Sequence, residues 1–132
     1  MERITFDVQH PDFQAEEFGD VAADDALSRL TGHPWAAELA RFDEMLARKE
    51  DACPPNVGLL KPDGALLRVS NDAADRFDIL ASFPVPRKFL GIKFGGHRDV
   101  EKAGLSLDAA AAMAKEFLES SSADTVASWT SR

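Results

Sequence analysis

The stretch Gly95-Gly96-His97-Arg98 is the most site-like run in this chain. Paired glycines let a backbone close on a ligand and turn its amides outward. An arginine beside them holds a carboxylate or a phosphate through two parallel hydrogen bonds. The chemistry would be anion binding, or a small enzyme built on it. The run departs from both G-x-x-x-x-G-K-[ST] and G-x-G-x-x-G, so neither nucleotide-binding loop is present. The bland reading is a plain connection from the last strand to the final helix, and the sequence favours it.

Other chemistry-bearing residues are scattered. The histidines are His10, His33 and His97, with neither H-x-H nor H-E-x-x-H spacing. His10 and His33 each precede a proline, which places them in a loop or at a helix entry. Cys53 stands alone before Pro54-Pro55, with no base beside it to make a thiolate, and reads as a small apolar filler. A G-x-S-x-G elbow for acyl transfer is missing. The 23 acids make carboxylate pairs by chance, and none falls in a pocket motif. We therefore expect no metal, no cofactor and no catalytic residue, and the reading leans away from an enzyme.

Charge is the stronger signal. Fifteen bases against 23 acids leave a net −8 on 132 residues. Residues 1–33 hold eight acids and two bases, so most of the excess lies in the first quarter. Its members include Asp12, Glu16, Glu17, Asp20, Asp24 and Asp25. They lack the alternating oxygens, central glycine and terminal glutamate of a calcium loop. One reading is a solvated face that keeps the protein in solution. The other is a docking surface, because clustered charge of one sign steers association. Unassisted binding to nucleic acid is disfavoured and no such partner is expected, since phosphate binding needs a concentrated basic surface.

Elements must position these groups. Ile4, Phe6 and Val8 alternate with Arg3, Thr5 and Asp7, the period of a half-buried strand. Residues 12–18 suit a loop, a helical turn or a short strand. Val21, Ala22, Ala26, Leu27 and Leu30 fit a brief helix with Gly32 as a left-handed stop. Pro34 suits a first helical position, and Trp35, Leu39, Phe42 and Leu46 make one apolar stripe. Lys61-Pro62-Asp63-Gly64 between two apolar runs predicts a hairpin turn. Residues 76–83 and 88–94 alternate as strands, with Pro84-Val85-Pro86-Arg87 as a stiff connection. Ser106 suits the cap of a last helix with Ala110, Met113, Ala114, Phe117 and Leu118 inward. The expected fold is α+β: one domain over 1–122, an antiparallel meander of about four to five strands. Two to three helices pack mainly on one face, and 123–132 form a frayed polar tail.

The function expected from this is a non-catalytic acidic binding protein that covers a basic protein partner. Aromatic anchors such as Trp35 or Phe18 would add energy where exposed. Bacterial immunity proteins, which neutralise nuclease toxins, share these gross properties of size and acidity; no motif carries the likeness. Two alternatives stand beside it. One is an anion-binding protein or small enzyme using 95–98. The other is a homodimer pairing through a sheet edge or face, with Phe89 and Leu80 in the interface. No apolar run nears a membrane span, and the first residues lack the pattern of a secretion signal, so a cytoplasmic location is expected.

Overall fold

The computed structural model describes residues 3–89 and 92–130, with the backbone alone over 85–89 and 92–95. In chain order the elements are β1 (Arg3–Gln9), β2 (Ala15–Ala22), α1 (Ala23–Thr31), α2 (Trp35–Ala47) and β3 (Asn56–Leu60). Then come β4 (Leu66–Ala73), β5 (Arg76–Phe89), β6 (Ile92–Leu105), α3 (Leu107–Glu119) and α4 (Ser122–Thr130). The strands form one antiparallel sheet in the order β2-β1-β3-β4-β5-β6. The α+β class stands, with six strands and four helices among the described residues where fewer of each were expected.

The inner face of the sheet follows from alternation. Phe6 and Val8 of β1, Val57 and Leu59 of β3, Leu67 and Val69 of β4, and Phe77, Ile79, Ala81 and Phe83 of β5 are all buried. One core cluster joins them to Ala26 and Leu30 of α1, Trp35 of α2, Ala110, Ala114 and Phe117 of α3, and Trp129 of α4. All four helices therefore cover the same face. Ser106 caps α3 as expected, its Oγ accepting from the N–H of Ala109 at 3.1 Å. The small Ala110 and Ala114 let α3 lie close against its neighbours.

The outer face is largely polar and carries an ion pair at its centre. Asp7, Gly58 and Arg68 stand in register on three successive strands. Arg68 reaches across to Asp7 at 2.6 Å and also donates to the side chain of Asn56. A Cβ at Gly58 would collide with the Asp7 carboxylate and come within 2.6 Å of Arg68 Nη2. Glycine is what lets the ion pair cross the middle strand. Leu60 and Leu80 stand exposed on the same face.

Several local expectations change: Val21 and Ala22 end β2 instead of opening α1, and 88–94 is not one strand, since Lys88 and Phe89 end β5 while 92–94 open β6. Gly32 ends α1 with φ −88°, so it is not a left-handed stop. The stripe of α2 runs out at Leu46, which is half exposed. The Pro84-Val85-Pro86 run does not connect two strands but lies inside β5. Prolines two residues apart turn their missing donors to one side of a strand, and β4 stops pairing with β5 at Ser82. Past that point, among the described residues, β5 and β6 pair only with each other, as a two-stranded ribbon. Finally, 122–130 is no frayed tail but α4, with Trp129 1 % exposed. Among the described residues no helix is long and apolar enough to cross a membrane.

Candidate functional site

The expected acidic set gathers along one border of the molecule. β2 is an edge strand, and Glu16, Glu17 and Asp20 on it are exposed. Asp24 and Asp25 continue the border in the first turn of α1, where the helix dipole favours negative charge. Asp25 pairs with Arg29 at 3.3 Å, and Asp12 with Arg41 at 2.7 Å. Among the described residues Glu17, Asp20 and Asp24 make no ion pair. Gly19 and Asp20 fall where the β1–β2 register shifts, and Asp20 has φ +54°. A bulge and a row of charges both keep an edge strand from pairing with another sheet.

The turn between β1 and β2 presents an aromatic that the sequence reading missed. Phe13 is 53 % exposed, with φ +68°. The turn holds it there: His10 donates its N–H to the carbonyl of Gln14 at 2.8 Å, and Phe13 its own to the carbonyl of His10 at 2.9 Å. The carboxylate of Asp12 accepts from the N–H of Gln14 at 3.1 Å. That bond, opposed by partial burial and helped by Arg41, holds the Asp12 carboxyl below its usual range. The anchors first considered serve otherwise. Trp35 is buried against Phe77, its indole N–H donating to the Leu30 carbonyl at 2.9 Å, and Phe18 is half buried under Arg29.

Behind the edge, on the helical side of the sheet, lies a pocket of about 430 Å³. Register puts Phe18 opposite Phe6 and Glu16 opposite Val8, so these four face the same way and line it. The elbow between α1 and α2 supplies His33, and the first turn of α2 supplies Glu38. The Glu38 side chain is nine-tenths buried and accepts a hydrogen bond from His10 Nδ1. His33 Nε2 lies 3.8 Å from the same Glu38 oxygen, too far for a hydrogen bond. Among the described residues this nitrogen is buried without a hydrogen-bond partner. His10 Nε2 stands 3.7 Å from Glu16 at the rim. Two histidines read separately as loop residues thus meet on one glutamate. Nothing in their spacing announces it, because the contact closes over 28 residues of sequence.

Burial holds His33 below the usual histidine range; the Glu38 charge opposes this and His10 adds to it. The sign follows. The unfolded chain takes up this proton near pH 6.5 and the folded chain resists it, so acid favours unfolding. Thermal stability should fall as pH drops below about 6.5 and level off once the folded pKa is passed. The groups facing the ring are Glu38 and His10, with Glu16 beyond. Melting temperatures from pH 7.5 to 5.5, taken beside His33→Gln, test this; an equal slope in the variant would refute it.

The other expected residues sit elsewhere. Gly95, Gly96, His97 and Arg98 are not in a loop after the last strand but within β6, opposite Pro86, Val85, Pro84 and Phe83. His97 and Arg98 are exposed. Trp35 touches Phe77, six residues along β5 from Phe83, so Arg98 lies roughly 20 Å away along the strand and does not converge with it. Cys53 donates its thiol to the His10 carbonyl at 3.3 Å, and burial raises its pKa, as fits a filler. Of the expected dimer contacts, Leu80 is exposed, and the side chain of Phe89 lies outside the described residues. Among the described residues no group of three or more histidines, cysteines or acids could hold a metal ion. Compared with known proteins, the chain matches no family model, no curated protein and no solved structure.

Proposed function

We propose that this chain is a non-catalytic binding protein that covers a basic protein partner with its β2 edge. The observation that carries this is the exposure of Phe13 at the head of a row of exposed carboxylates. From the turn to the start of α1 the row extends roughly 26 Å, eight strand residues. Charge alone has a sufficient role in guarding an edge strand. An exposed phenylalanine in left-handed backbone has none there, and its strain is offset only by the turn that presents it. Apolar anchors ringed by charge are what tight interfaces use, the anchor slowing release and the charge speeding encounter. An inhibitor or immunity-type role fits the same surface: carboxylates stand in for phosphates and block a basic cleft.

The test is capture of partners from the cells that make the protein, at about 50 and 300 mM salt, between which exposed charge pairs are strongly screened. Wild type should retain a stoichiometric basic protein that weakens at high salt. Glu16→Lys with Glu17→Lys should slow its association about tenfold or more at low salt. Phe13→Ala should cost about 2 kcal/mol, near thirtyfold in affinity, mainly in the off-rate. A partner indifferent to all three changes, or no partner at all, overturns the reading.

A further inference from the structure

The pocket behind the edge is not needed for a flat electrostatic contact, yet it is built. Two polar side chains at its base are more than or about nine-tenths buried, Glu38 at 10 % exposed and His33 at 7 %. A buried nitrogen without a hydrogen-bond partner carries a desolvation cost, and native structures seldom leave one unmet. Glu38 does not meet it at 3.8 Å. A donor seated to the side of both, about 2.9 Å from each, would bond the two together. Its charge is set by its surroundings. Glu38 lies at the base, where the oxygen nearest His33 already accepts from His10 Nδ1, and Glu16 at the rim, while Arg29 is engaged by Asp25 and laid over Phe18. The walls are apolar, Val8 and Phe18 on the strands. Buried acceptors beneath apolar walls and an acidic rim suit a cation on a hydrocarbon stem.

We infer that this pocket takes a primary ammonium group on a short apolar stem, accepted by Glu38 and by Nε2 of His33. The source is a lysine side chain of the basic partner, so the inference rests on the docking reading and deepens it. An ammonium fits because one nitrogen seated to the side of two acceptors 3.8 Å apart, about 2.9 Å from each, donates to both with different protons. Glu16 draws the charge in; Glu38 and His33 hold it.

The probes are n-butylammonium and N-acetyl-lysine methylamide, titrated into the full chain and followed by NMR at the Val8 methyls, the Phe18 ring and the His33 imidazole. The expected result is saturable shifts at those three places, absent with n-butanol, and binding about tenfold or more weaker in Glu38→Gln. Phe18→Ala, which leaves both acceptors in place, should weaken both probes while keeping the His33 shift. Binding of both probes alike assigns the pocket to the ammonium and stem alone. Binding of the lysine amide only adds the peptide and points to the partner as source. Equal binding of butanol, or unaltered binding in Glu38→Gln, overturns the inference. Should neither probe bind while Glu16→Lys with Glu17→Lys still releases the partner, the pocket inference falls and the docking reading stands. Should the probes bind and the captured protein ignore the edge variants, the reverse holds.

Discussion

Trp129→Ala should cost about 3–5 kcal/mol, the range for deleting a buried aromatic. That is a large share of a stability that for a domain of this kind lies at about 5–15 kcal/mol. The residue sits in the last helical turn of α4, 1 % exposed. Its ring meets Phe83 edge-on with centroids 5.8 Å apart and stacks on Phe117 at 6.5 Å. Its indole N–H donates to a Glu116 oxygen at 3.0 Å, and Ser128 donates to the other oxygen at 3.2 Å. Truncation to alanine opens a cavity beneath Phe83 at the root of the β5–β6 ribbon and breaks a part-buried polar contact. Urea unfolding with an unchanged slope measures the loss. Trp129→Phe, which keeps a ring and gives up the N–H, should lose less. A loss in Trp129→Ala within about 0.5 kcal/mol, as for a surface change, would return 122–130 to the status of a loose tail.

That the tail reads as loose from sequence has a physical cause, and it is the same cause wherever the sequence misleads. α4 is short and Ser-rich at its start, and only Val126 and Trp129 hint at an inward face. A nine-residue helix of this composition is not stable alone; Phe83 and Phe117, distant in sequence, make it. β2 is obscure for the complementary reason. It is an edge strand with one neighbour and mostly exposed side chains, so no alternation marks it. The two prolines read as a connection because the rule that excludes them from a strand applies where both sides are paired, and β5 loses β4 at Ser82. Where the cause is local, sequence and structure agree. Pro62-Asp63-Gly64 turns the chain with Gly64 at φ +93°, and Ser106 caps its helix. The site divides along the same line. The amount of acid and the stretch that holds it are legible; Phe13 and the meeting of His10, His33 and Glu38 depend on a turn conformation and on a tertiary closure.

Lys61→Met should destabilise the protein by about 2–4 kcal/mol, although the residue lies in a hairpin turn where such changes are usually neutral. Lys61 is 3 % exposed. Its ammonium donates to the carbonyl of Phe117 at 3.0 Å and to that of Ser120 at 2.9 Å. These carbonyls belong to the end of α3, where the last turn has no intrahelical donors and carries the negative end of the dipole. No basic residue lies in that turn of α3 itself, so a lysine 56 residues earlier supplies the charge. The Phe117 ring, 5.2 Å from the nitrogen, adds a cation–π contact. Asp63, two residues on, completes the clasp. Burial opposes its ionisation, but bonds from the Ser122 hydroxyl at 2.5 Å and the Ala65 N–H at 2.9 Å, with the Lys61 charge, keep its pKa below normal. The β3–β4 turn thus grips the α3–α4 elbow from both sides. Methionine fills the space of the lysine stem and takes the lysine donor from one buried and one part-buried carbonyl, so the loss reads the polar contacts and not a cavity. Because α4 docks through this elbow, Lys61→Met combined with Trp129→Ala should cost less than the sum of the two. Full additivity in that double mutant would show that turn and tryptophan hold the helix independently.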